Sequence, residues 1–224
     1  VVSGPFDIKR FGGVDEDFRI TQSSMKHFPV GSVAQTALEC AITLRSQIED
    51  VNQIDMINLR TFEFGTNIMA DGPEKWTPET RETADHSLPY CLAVAFIFGE
   101  INDDYFADHY LYDSFLRDMM SKISVVSDPE CTALFPEKRL SKLEVILNSG
   151  EIFSAELGYH KGHPNNPMTD DEVTEKFVSQ TNVHLNETQS SGFVDRLWRL
   201  EHETDLVSLM SGLTAKTTSK VESN

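Results

Sequence analysis

Two short segments hold the side chains best suited to chemistry: Lys26-His27-Phe28-Pro29, and further along Ala84-Asp85-His86-Ser87-Leu88-Pro89-Tyr90. A loop lysine binds a carboxylate as a compact point charge, or acts as a base when desolvated. A phenol with an ordinary pKa of about 10 donates or relays a proton when held against a substrate. His86 and Ser87 precede Tyr90 and can bind substrate or hold the segment together. By spacing alone, Lys26 reads as a solvated surface lysine and Tyr90 as a core tyrosine with its hydroxyl satisfied.

The other candidates carry less. His160 and His163 have H-x-x-H spacing, but a metal site needs a third or fourth ligand and none stands nearby in the sequence. No metal is expected. Cys91, beside Tyr90, reads as core packing rather than a nucleophile. Cys40, Cys91 and Cys131 are widely spaced and form no CxxC, so neither a disulfide framework nor an iron–sulfur cluster is expected. No P-loop and no GxGxxG is present. The thiols fit a reducing cytoplasm, where the sequon Asn186-Glu187-Thr188 would go unused.

These side chains need elements to position them. Val33, Ala37, Ala41, Leu44 and Ile48 recur at helical steps, which predicts a helix over Ser32–Gln47. Pro29 and Gly31 keep it from starting earlier, so Lys26 falls in the loop before a helix N-terminus, where backbone N–H groups favour anions. Phe18–Met25 alternates enough to predict a strand. Asn52–Phe64 predicts a strand covered on both faces, with Ile57, Leu59 and Thr61 on one side and Phe62 and Phe64 on the other. Asp71–Thr80 reads as a loop. Arg81 onward turns helical, breaks near Pro89, and resumes through Phe98 to a Gly99 cap. Asp103–His109 and Leu111–Lys122 read as helices and Ile123–Val126 as a strand. Leu143–Leu147 and Glu151–Leu157 flank Asn148-Ser149-Gly150, a hairpin pattern. Thr169-Asp170-Asp171-Glu172 is a capping box opening a helix to about Val183. Phe193–Leu200 and Asp205–Leu213 are amphipathic. The order predicts an α+β fold: a small mixed or antiparallel sheet with helices packed on one face, plus C-terminal helices. Residues 1–16 read as a linker, 17–213 as the folded domain, and 214–224 as a disordered tail.

The chain has 224 residues and a formal net charge of −17. Nucleic acid and anionic membrane surfaces would repel it at long range, so neither is an expected partner. A few local cations can still hold an anionic small molecule. No run reaches the roughly 18 apolar residues of a membrane helix, and no signal peptide is visible. Starting at Val1 rather than Met, the sequence reads as a fragment or a processed product.

With these landmarks in order, the chain resembles the MmgE/PrpD family, which includes 2-methylcitrate dehydratase and cis-aconitate decarboxylase. Carrying the resemblance are the Gly4 opening, Lys26 to Pro29 followed by Gln35-Thr36-Ala37, and Thr83 to Gly99 with its ADHSLPY run. Further on come the Asp128-Pro129 turn, the hairpin, the Gly162 to Thr169 turn and Lys176-Phe177. The resemblance implies an active-site lysine at Lys26 and a site-facing tyrosine at Tyr90. It also implies supporting roles for His86 and Ser87, with Lys26 and Ser87 binding substrate. It points to a cofactor-independent lyase in the cytoplasm, dehydrating a tricarboxylate in propionate breakdown, and to a homodimer. Family members carry a large helical N-terminal region that completes the same site. The chain resembles only the C-terminal part, so alone it is expected to be inactive and to need that helical half from the same gene or another chain. Some relatives have a histidine in the loop after the lysine motif, where this chain has Val30, Gly31, Ser32 and Val33. A decarboxylase or epimerase relative, or a non-catalytic binding or oligomerisation module, are the alternative readings.

Overall fold

In a computed structural model of the protein, Pro5 and residues 11–213 are described. The Gly4 opening, most of the expected linker and the expected tail from Thr214 lie outside them. The chain divides into two compact units, one running to Pro167 and one from Met168 onward.

The first unit is built on four strands, β1 (Ile54–Thr61), β2 (Ile123–Ser127), β3 (Ser141–Leu147) and β4 (Ile152–Leu157), in the order β2-β1-β3-β4. The β1–β2 pair is parallel and the other two pairs are antiparallel. A mixed sheet follows from the connections: β3 and β4 are joined by the predicted turn, with Gly150 at φ +85°, whereas β1 and β2 are separated by a helical excursion long enough to permit a parallel pairing. Ile57, Leu59, Leu143 and Val145 face the core, and their alternation with less buried neighbours fixes the register.

Two helices cover that face. The first, α1 (Gln35–Arg45), continues a 3₁₀ turn at Ser32–Ala34. Helices α2 (Glu63–Met69), α3 (Pro73–Trp76) and α4 (Arg81–Asp85) lead to α5 (Leu88–Phe98), the second. Every residue of α5 from Leu88 to Phe96 is buried, which is why it shows no polar stripe. Ser87 caps its N-terminus and Gly99, at φ +74°, its C-terminus. Short helices α6 (Asp108–Leu111) and α7 (Ser114–Ser121) return to β2, and α8 (Pro129–Leu134) follows that strand.

The second unit holds α9 (Asp170–Thr181), α10 (Glu187–Leu197) and α11 (Leu206–Ser211). Capping boxes at Thr169 and Asn186 start the first two, so the sequon asparagine is a helix cap. Phe177 stacks on Phe193 at 5.6 Å between ring centroids.

The α+β fold with helices on one face of a small sheet is what the sequence predicts. Four local readings differ. Phe18–Met25 is not a strand: Arg19–Gln22 is a 3₁₀ turn and the whole stretch is exposed. Alternation alone does not make a strand without a pairing partner, and this stretch pairs with none of the four strands. The strand after Asn52 is covered on one face only, since Met56 is 44% exposed. It ends at Thr61, and Phe62 and Phe64 belong to the start of α2, where both rings stack on Phe135. The Asp71–Thr80 stretch contains α3, and the helical break falls at His86 and Ser87. Pro89 sits inside the first turn of α5, where its missing N–H costs nothing.

Candidate functional site

Lys26 stands in an exposed loop whose backbone is held from within. The buried Gln35 side chain, on the first residue of α1, accepts from the amides of His27 and Phe28 at 2.9 and 3.0 Å and donates to the Phe28 carbonyl at 3.1 Å. Three bonds from one amide group fix the loop as a turn facing the helix. The Lys26 ammonium donates to the Val30 carbonyl at 3.1 Å.

The loop then meets the α4–α5 junction. The Gly31 amide donates to the Asp85 carbonyl at 3.0 Å. A Cβ on Gly31 would lie 2.7 Å from Met69 Sδ and 3.4 Å from His86 Cδ2, so a side chain there would press on Met69. His86 is half-buried, and its Nδ1 meets two oxygens, the adjacent Asp85 carboxylate and the Glu82 carbonyl at 3.2 Å. Both are acceptors, so Nδ1 carries the proton and Nε2 is the nitrogen that can take one. A carboxylate orienting an imidazole is the arrangement a general base needs.

Ser87 and Tyr90 are placed differently. Ser87 is fully buried; its hydroxyl donates to the Lys75 carbonyl and accepts from the Tyr90 amide at 3.1 Å. Tyr90 has no exposed surface. Its hydroxyl donates to the Tyr105 carbonyl at 2.7 Å, and its ring packs against Phe106 at 5.9 Å. Burial pushes the phenol far above its ordinary pKa. The structure thus brings the Lys26 loop against His86, while the Tyr90 hydroxyl is engaged with Tyr105.

Glu82, Asp85 and His86 place three possible ligand atoms within 4.8 Å of one another. These could hold a divalent cation, though the Asp85–His86 contact already accounts for two of the three. His160 and His163 belong to no such group among the described residues. The three cysteines are free and buried. Burial pushes Cys40 up to about 12 and Cys131 up to about 11, and Cys91 higher still, so none is a thiolate at neutral pH.

Sequence reasoning missed Arg139, whose guanidinium donates from Nη1 to the Ser32 carbonyl at 3.0 Å. It lies in an aperiodic loop before β3, and nothing in the local pattern sets it apart. His160 was considered only as a metal ligand. It is 1% exposed, and its turn joins the lysine loop through the Met25 amide, which donates to the Gly162 carbonyl at 2.8 Å.

Among the described residues no helix is long and apolar enough to cross a membrane. Residues 28–200 match the MmgE/PrpD C-terminal domain. The chain is 30% identical over 118 residues to 2-methylcitrate dehydratase of Escherichia coli strain K12, covering 50% of this chain and 24% of that protein. It is 26% identical over 145 residues to the mitochondrial 2-methylcitrate dehydratase of Yarrowia lipolytica, covering 61% and 27%. The matched region thus spans about a quarter of the length of these relatives. A domain match running from the lysine loop through both units is too long to rest on one motif, and the chain belongs to the MmgE/PrpD family.

Proposed function

We propose that this chain supplies one side of the active site of a cofactor-independent lyase that removes water from a tricarboxylate of the 2-methylcitrate type. The observation that carries the reading is the Gly31–Asp85 bond, which ties the lysine loop to the junction that holds a carboxylate-oriented imidazole. Dehydration takes a proton from a carbon next to a carboxylate and expels hydroxide, as water, from the neighbouring carbon. Lys26 holds a substrate carboxylate and stabilises the charge that builds on it. His86 Nε2 exchanges the proton. Ser87 and Tyr90 hold the junction on which His86 stands, through the Ser87 cap and the Tyr90–Tyr105 bond.

The names of the relatives support the substrate class, and three free thiols fit a reducing, cytoplasmic setting. The remainder of the pocket comes from a helical region of the kind family members carry upstream, and the complete protein is a homodimer. The buried, satisfied Tyr90 hydroxyl favours a second reading, a binding module without proton relay.

The test is turnover of 2-methylcitrate by protein carrying both regions, comparing Lys26→Ala and His86→Asn with the parent. Groups in these roles contribute roughly a hundredfold or more. Losses below about tenfold in both variants would remove the two residues from the chemistry.

A further inference from the structure

Arg139 and Lys26 share an environment that the excess of acid elsewhere makes conspicuous. The chain has 36 acidic residues and 19 lysines and arginines. Yet neither of these two cations has a carboxylate within ion-pair distance among the described residues. Each donates to a backbone carbonyl instead, Lys26 to Val30 and Arg139 to Ser32. Those carbonyls flank Gly31. The two cations therefore straddle the one residue whose amide ties the loop to Asp85, beside His86.

The arginine is held in place from behind. Its amide donates to the Gly158 carbonyl at 3.0 Å, and its carbonyl accepts from the buried Thr36 hydroxyl at 2.7 Å. Thr36 in turn meets the Ser141 hydroxyl at 2.9 Å. Of five guanidinium N–H donors, one is used by Ser32. Burial alone pushes its pKa down, as expected for a cation partly desolvated without a counter-charge.

A second observation points to the same place. His160 Nδ1 lies 2.8 Å from the Lys161 carbonyl. A carbonyl only accepts, so Nδ1 carries the proton and Nε2 presents a lone pair. That nitrogen is buried and has no hydrogen-bond partner among the described residues, a state that costs stability unless a ligand or water supplies a donor. Burial most of all, with the charge of Arg139, lowers the His160 pKa against the raising effect of the Lys161 carbonyl; burial and Arg139 also lower that of His163.

We propose that Arg139 is a second carboxylate-binding residue of the Lys26 site, and that the two cations together select ligands with two or more carboxylates. This rests on the reading of the chain as part of a tricarboxylate lyase. Two cations across one glycine suit separate carboxylates of one small molecule. The guanidinium adds a planar fork that an ammonium lacks.

The test is citrate binding to protein carrying both regions, followed by calorimetry and by ¹H–¹⁵N spectra, with succinate and acetate as comparisons at constant ionic strength. Lys138→Gln is the control for lost charge, since Lys138 lies over the Tyr159 ring at 5.7 Å. Arg139→Gln and Lys26→Gln should each weaken citrate at least tenfold, weaken succinate less, and leave acetate unchanged. Lys138→Gln should change citrate less than twofold. In the wild-type chain the Arg139 Nε–H cross-peak should shift with citrate at the same midpoint as the calorimetric curve, a readout that needs no variant to fold. Citrate affinity lost in Lys26→Gln but retained in Arg139→Gln, or a stationary Arg139 cross-peak during citrate saturation, overturns the inference and leaves the lyase reading standing. Wild-type protein carrying both regions that citrate does not saturate takes both down.

Discussion

The Gly31 amide donates to the Asp85 carbonyl at 3.0 Å, and through that bond the lysine loop and the His86 junction become one surface. Gly31 has the room only because it lacks a side chain. An added Cβ would lie 2.7 Å from Met69 Sδ and 3.1 Å from its Cε, and Met69 is fully buried.

Gly31→Ala should therefore destabilise the protein by about 1–3 kcal/mol, the usual cost of overpacking a filled interior. The urea midpoint reads this directly. An unchanged midpoint would mean that Met69 moves aside freely and the close approach is not needed.

Gln35 satisfies two amides and one carbonyl of the lysine loop from a fully buried position. Gln35→Met keeps the volume and removes all three partners. Each buried group left unmade costs roughly 1–3 kcal/mol, so stability should fall by about that much or more. Amide exchange at His27 and Phe28 should accelerate well before exchange in the core of α5. Uniform acceleration across the chain would show that Gln35 supports global stability and not the loop.

Tyr90→Phe separates two roles for the phenol. Its hydroxyl donates to the Tyr105 carbonyl, so the variant should lose about 0.5–1.5 kcal/mol of stability. In protein carrying both regions, turnover should fall less than about tenfold, because a positioning group is not a proton donor. A loss of a hundredfold or more with an unchanged melting temperature would instead put the phenol in the chemistry.

His160 makes stability depend on pH. Burial first, then the charges of Arg139, His163 and His27, lower its pKa from the ordinary value, against the raising effect of the Lys161 carbonyl. On α1, Glu39 lies 4.0 Å from His27 and accepts from the Lys161 amide. Between the lowered folded pKa and the unfolded value of about 6.5 the unfolded chain binds more protons, so stability falls as pH drops through that interval. The melting temperature should decline from about pH 7 to pH 5, and His160→Gln should flatten the decline. The carboxylates with lowered pKa, Asp50, Asp128 and Glu203, lose their contribution only at more acid pH. An equal slope in His160→Gln would assign the effect to other groups.

Sequence alone determined what depends on short-range periodicity and turn chemistry. The helix after Pro29, the Asn148-Ser149-Gly150 hairpin, the Thr169 capping box and the Gly99 stop each follow from neighbours a few residues apart. The lysine loop and the His86 segment were legible because their residue types are chemically telling and stand in a recognisable order. Only tertiary structure decided the rest. Phe18–Met25 joins no strand of the sheet despite its alternation, and Tyr90 turned its hydroxyl to a carbonyl fifteen positions away. Arg139 reached Ser32 from 107 positions downstream. Hydrogen bonds between remote segments are set by how the sheet and helices stack, and no local pattern in the chain encodes which carbonyl a distant cation will meet.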